Sequence, residues 1–153
     1  MSIDIEEEYD KIYRYCFFKL HHQQNAEDIT QETFLRYFQR YDRITGEAAL
    51  KCLYTIARNL CIDEYRGRSE DFIQEEHITE DSKEEQILTT LMVRAALSEL
   101  TEDEQELLLL RYVNEVPVAA ISQMHGISRF AVRRRLIAVQ KKFQKILEKT
   151  GGI

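Results

Sequence analysis

The only proline of the chain is Pro117, and its five glycines are the only other strong helix breakers. Between them, apolar residues recur at helical spacing, so the sequence leaves little room for anything but a helical protein. One stretch organises the rest, residues 48–66, which read AALKCLYTIARNLCIDEYR. Leu50, Leu53, Ala57, Leu60 and Cys61 form a stripe suited to a core. The other face carries Lys51, Tyr54, Thr55, Arg58, Asn59, Ile62 and Arg66. Cations meet phosphates, rings stack on bases and amides read base edges, so this mixture fits a nucleic-acid surface. A helix with one ragged, solvated face is the plainer reading of the same residues.

Charge distribution favours the first reading. The chain of 153 residues has a net charge of −6, which by itself argues against a nucleic-acid binder. Yet residues 67–86 hold eight acids against Arg68 and Lys83, a local −6, and the remainder balances at 19 acids and 19 bases. From Leu107 onward, nine Lys/Arg face only Glu115 and Glu148, giving +7. Basic surface gathered at one end is the footprint of a nucleic-acid partner.

Other classes find little support. No apolar run approaches the roughly 20 residues of a membrane span, and residues 3–10 are acidic, unlike a signal peptide. The expectation is a cytoplasmic protein without membrane insertion. Cys16, Cys52 and Cys61 are odd in number and lack CxxC spacing, so they read as core thiols. Cys16 with His21 and His22 would need a second ligand pair to hold zinc. No Gly-rich phosphate loop or nucleophile–base pairing is present, so neither a cofactor nor an enzymatic activity is expected.

Taken in order, Ile5, Tyr9, Ile12, Cys16, Phe17 and Leu20 make a first helical stripe ending near residues 21–24. Asn25 offers an N-cap for a second helix reaching about Tyr41, with Glu27 and Asp28 in its first turn. Ile29, Phe34, Tyr37, Phe38 and Tyr41 supply its core side, while Asp28, Gln31, Glu32, Leu35 and Gln39 line another. Residues 42–47 form a loop before the organising stretch, and the acidic run 67–86 reads as a tether. A second unit starts near Glu85, with Ile87, Leu88, Leu91, Ala95 and Leu97 apolar at helical spacing. Thr101 and Glu104 match a capping box; Leu107–Leu110 and Tyr112 predict a central helix. Pro117 suits the first position of a short helix. Gly126 fits a turn with a positive backbone angle and Ser128 fits an N-cap. Val132, Leu136, Val139, Phe143 and Ile146 face inward on a long basic helix. Short helix, Gly turn and basic helix make the pattern of a helix-turn-helix. Its second helix would place Ser128, Arg129, Arg133 and Arg134 near base edges and phosphates, with Arg135 bracing a phosphate.

Three segments, AEDITQETFLRYF (26–38), LYTIARNLCIDEYRGR (53–68) and LSELTEDEQELLLLRY…GISRFAVRRRL (97–136), resemble bacterial RNA polymerase sigma factors, most closely the small extracytoplasmic-function (ECF) group. The resemblance implies an all-α fold: a region 2 bundle at residues 1–68, an acidic linker at 69–86, and region 4 with its helix-turn-helix at 87–153. It implies that Asp28, Gln31, Glu32, Leu35 and Arg36 dock on the polymerase clamp. Residues 44–50 with Thr55, Arg58 and Asn59 would capture an unstacked base of the minus-ten element, with Arg66 and Arg68 holding the adjoining backbone. Ser128, Arg129, Arg133, Arg134 and Arg135 would serve the minus-thirty-five element, and residues 87–112 would grip the polymerase flap. RNA polymerase core and promoter DNA are the implied partners, with an anti-sigma protein common in the group. Two positions depart from the pattern: Cys52 stands where Trp is usual, and His125 where Leu is usual. The alternative is a stand-alone helix-turn-helix regulator whose amino-terminal half binds a protein or dimerises.

Overall fold

The computed structural model describes residues 4–41, 43–44, 46–67 and 84–149, with the side chains of 65–67 and 84–90 left aside. The acidic segment 69–83 and Arg68 lie outside the described residues, and of Arg66 only the backbone is described.

Three helices build the amino-terminal unit. Helix α1 (Ile5–Leu20) is capped by Asp4, whose carboxylate accepts the Glu7 amide at 3.2 Å. It ends at His21, a left-handed residue with φ 53°. Helix α2 (Gln23–Arg40) starts three residues before the position expected from Asn25 as N-cap. Its N-cap is His22, whose Nδ1 accepts the Asn25 amide at 3.1 Å. The left-handed His21 turns the chain within one residue, so the helix restarts at once and Asn25 is buried inside it. Gly46, at φ +66°, opens helix α3 (Gly46–Gly67). The Tyr37 hydroxyl donates to the Ile44 carbonyl at 2.9 Å and holds the loop before it. Leu53, Ala57 and Cys61 are buried as their spacing predicts, against Ile12 and Cys16 of α1 and Ala26 and Phe34 of α2. Buried Thr30 and Thr33 turn their hydroxyls back to the carbonyls of Ala26 and Ile29, which removes the cost of burying them.

The second unit has four helices and one widened turn. In α4 (Glu84–Ser98) the buried side is rotated from expectation: Ala96 is buried, followed by Leu100, while Leu91 and Ala95 are exposed. The capping box forms as predicted: Thr101 Oγ1 accepts the Glu104 amide and Glu104 accepts the Thr101 amide. Helix α5 (Glu102–Leu108) then widens into a π-helical turn at Leu109–Val113. Helix α6 (Val118–His125) has Pro117 as its N-cap residue, one position before the first helical residue where the sequence placed it. Gly126 at φ +65° ends α6. Ser128 Oγ accepts the Ala131 amide at 3.1 Å and starts α7 (Arg129–Lys149). Val132, Leu136 and Val139 are buried along its inner side.

The two units, expected as separate bodies on a tether, are packed together. Buried side chains of both form one continuous core, with α3 laid against α6. A buried polar seam runs along the junction. Tyr15 of α1 donates its hydroxyl to Glu106 of α5 at 2.6 Å. Lys19 ion-pairs with the same carboxylate, and its ammonium lies 5.1 Å from the centroid of the Tyr15 ring. Asn114 donates to the Lys11 carbonyl at 2.8 Å and to the Tyr54 hydroxyl at 2.9 Å. Its own carbonyl accepts from Arg14 Nε at 3.4 Å. The π-helical turn is what delivers Asn114 to the seam: Asn114 closes it by donating its amide to Leu109.

Candidate nucleic-acid interface

The first candidate face lies on α3. Thr55, Arg58 and Asn59 are exposed together with Lys51. Tyr54, placed on this face by the sequence, is instead fully buried; its ring meets Tyr15 edge-on at 5.3 Å, and its hydroxyl takes the seam bond from Asn114. Burial pushes its phenol pKa well above the ordinary range. Half-buried Cys52 occupies the position of the missing Trp. The face that remains is cationic and amide-bearing, and it offers Arg58 and Asn59 rather than an aromatic platform.

The second face is the amino-terminal half of α7. Ser128, Arg129, Arg133, Arg134 and Arg135 are all exposed, while Val132 and Leu136 anchor the opposite side in the core. Ser122 of α6 donates to the Ile127 carbonyl and ties the two helices across the Gly126 turn. This is the helix-turn-helix geometry: one helix packed against the core, a tight turn, and a second helix with its first turns open to solvent. The α7 helix contains no acid before Glu148, so its outward face presents positive charge only.

His125 closes the turn at the end of α6 and is half-buried. Burial holds its imidazole below the ordinary histidine range. Glu106 and Asp103 pull it upward against Arg58 and Arg135, which push it down. One histidine thus lies within electrostatic reach of both candidate DNA faces.

A third face lies on α2. Asp28, Gln31, Leu35 and Arg36 are exposed and Glu32 partly so, with Arg36 Nε bonded to Glu32 at 2.8 Å and Gln24 bonded to Asp28 at 3.0 Å. Leu35 is 54% exposed, and Phe38, read from the sequence as core, is 46% exposed beside it. Position 38 continues the row 28–31–35, and that spacing is the signal by which it was recognisable. Core spacing from Phe34 and Tyr37 masked it. The seam residues Tyr15, Glu106 and Asn114 left no local signal, because their partners are about a hundred positions away in the chain.

A helical bundle joined to a helix-turn-helix, each with its own open cationic face, gives the chain two candidate DNA-binding faces. Sequence models of known families agree: sigma-70 region 2 matches residues 5–71 and sigma-70 region 4 matches residues 90–136. The chain belongs to the sigma-70 family of RNA polymerase sigma factors, in its ECF group. It is 30% identical over 136 residues to the ECF RNA polymerase sigma factor BldN of Streptomyces coelicolor, covering 81% of this chain and 51% of that one. With the RNA polymerase sigma factor YlaC of Bacillus subtilis it shares 26% over 153 residues, covering 93% and 88%. In fold it is similar to the sigma factor RpoE solved in complex with the anti-sigma factor NepR from Bartonella quintana. The TM-score is 0.66 at 18% identity, over 92% of this chain and 91% of that one. Among the described residues, no helix is long and apolar enough to cross a membrane.

Proposed function

We propose that this chain binds RNA polymerase core and directs it to promoters. It does so without catalysis of its own, as a cytoplasmic specificity subunit with residues 1–68 and 87–153 as its two working units. The α2 face formed by Asp28, Gln31, Glu32, Leu35 and Arg36, widened by Phe38, docks on the polymerase clamp. Thr55, Arg58 and Asn59 hold an unstacked base of the minus-ten element, and Arg66 and Arg68 hold the adjoining backbone. Ser128, Arg129, Arg133, Arg134 and Arg135 engage the minus-thirty-five element. The second unit grips the flap through α4 and the widened turn, where Leu91, Val93, Tyr112 and Val113 are exposed. Melting then requires only that a flipped base be better held than a stacked one, against an unstacking cost of a few kcal/mol. Phosphate contacts supply affinity that falls as salt rises. An anti-sigma protein, such as the one bound to the RpoE neighbour, is a further expected partner.

One observation carries this reading: two separate cationic faces are exposed on units matched by region 2 and region 4. A single-headed regulator has no need of the first. The test is reconstitution with purified polymerase core on genomic DNA fragments. Core with this chain should initiate at discrete start sites, and core alone should not. Glu32→Lys or Leu35→Ala should abolish core binding while leaving the helical fold intact. A chain that binds DNA but never core would instead be a stand-alone regulator.

A further inference from the structure

The most exposed large apolar side chain described is Phe130, at 73%, on the second residue of α7; Ile137 follows at 55% two turns later. Neither belongs to the inward stripe of Val132, Leu136 and Val139. Both sit on the outward face, among Arg129, Arg133 and Arg134, on a helix whose first acid is Glu148. An exposed phenyl ring is costly to keep in water. Its surroundings restrict what can cover it: the partner must be anionic, to meet the arginines, and must still present an apolar group between its charges. The major groove of DNA does so at thymine, whose 5-methyl projects from the base edge while phosphates flank the groove.

We propose that Phe130 is a specificity-determining residue that packs on a thymine methyl in the upstream promoter element. The proposal rests on the assignment of α7 as the groove-reading helix. Ser128 sets the placement: as N-cap it fixes the first turn of α7, so Phe130 leads the helix into the groove, where amino-terminal residues of such helices meet base edges. The arginines at i+3 and i+4 lie on the same face and take guanine edges or phosphates on either side. Selectivity is therefore mixed, with cations for affinity and one ring for a methyl group.

The test uses the full chain at low salt. Wild type and Phe130→Ala are each used to select duplexes from a random pool. The wild-type site should contain a thymine for which Phe130→Ala shows no preference. Replacing that thymine with deoxyuridine, which lacks only the methyl, should weaken wild-type binding about fourfold, the worth of one buried methyl. The same replacement should leave Phe130→Ala binding unchanged. With Phe130 so exposed, the substitution leaves the core untouched, and circular dichroism checks that. Equal wild-type binding to thymine and deoxyuridine duplexes, or undiminished discrimination by Phe130→Ala, overturns the proposal. Failure of wild type to select any sequence, with Arg133→Ala indistinguishable from it, would overturn the underlying assignment of α7 as well.

Discussion

Tyr15 donates its hydroxyl to Glu106 at 2.6 Å, joining α1 to α5 across 91 positions of chain. The carboxylate is buried, and Lys19 supplies the opposite charge. The phenol beside it is held well above its usual range, first by burial and then by the neighbouring carboxylate. Removing one member of a buried pair leaves the other uncompensated, at a cost of roughly 3 kcal/mol or more. Glu106→Ala should therefore lower the melting temperature by several degrees. Glu106→Gln keeps an acceptor for Tyr15 and should cost about half as much. Calorimetry on the two variants checks the order, and equal melting temperatures would mean that the acceptor for Tyr15 contributes nothing once the charge is gone.

The two junction histidines predict a pH dependence. Burial lowers the pKa of His125, and burial with the nearby Arg94 lowers that of His21. A histidine whose folded pKa is depressed binds fewer protons folded than unfolded, so stability rises with pH. Its contribution is complete above the unfolded value of about 6.5 and is lost as pH falls below it. Denaturation midpoints should drop between pH 7 and pH 5. His125→Leu, which restores the residue usual in the family, should flatten that slope. A wild-type curve that is level across this window would contradict the lowered pKa of the half-buried His125.

Elements that depend on neighbours in sequence were legible: the α3 stripe, the Thr101–Glu104 box, and the Gly126 and Ser128 signals of the helix-turn-helix. Each is set by contacts within about five residues. What failed turned on competition or distance. Asn25 is a good cap, but His22, three residues earlier, takes that role by accepting the Asn25 amide. Tyr54 has the character of a base-stacking residue, but a seam supplied by Asn114, 60 positions away, buries it. The outward positions Thr55, Arg58, Asn59, Arg129, Arg133, Arg134 and Arg135 could be read because the buried stripes beside them fix which side remains.

The turn between α6 and α7 sets the angle of the recognition helix. A Cβ on Gly126 would meet no atom within 4 Å, so an alanine there suffers only from its φ of +65°. Gly126→Ala should cost about 1–2 kcal/mol, and Gly126→Asn less, because Asn tolerates the left-handed region. Ser128→Ala should cost about 1 kcal/mol through the lost cap. Urea denaturation checks all three; a Gly126→Ala variant as stable as wild type would mean that the turn relaxes freely.

The packed arrangement sets a limit on promoter binding. Elements at minus ten and minus thirty-five lie about 25 base pairs apart, or about 85 Å at 3.4 Å per step. Arg58 and Arg135 both act on the single imidazole of His125, so the two faces lie far closer than that. If the two faces hold the two elements as proposed, the seam must open first, and a polymerase engaging each unit separately would be the agent. Loosening the seam should therefore extend the free chain. Tyr15→Phe combined with Asn114→Ala removes the hydroxyl that Glu106 accepts and the amide that bridges Lys11 and Tyr54. By small-angle scattering, wild type should be near the compact value of about 15 Å for its length. The double variant should be several ångströms larger and should bind a DNA carrying both elements more tightly than wild type in the absence of core. Superimposable scattering curves for the two proteins, with identical DNA affinity, would show that the seam does not restrain the units.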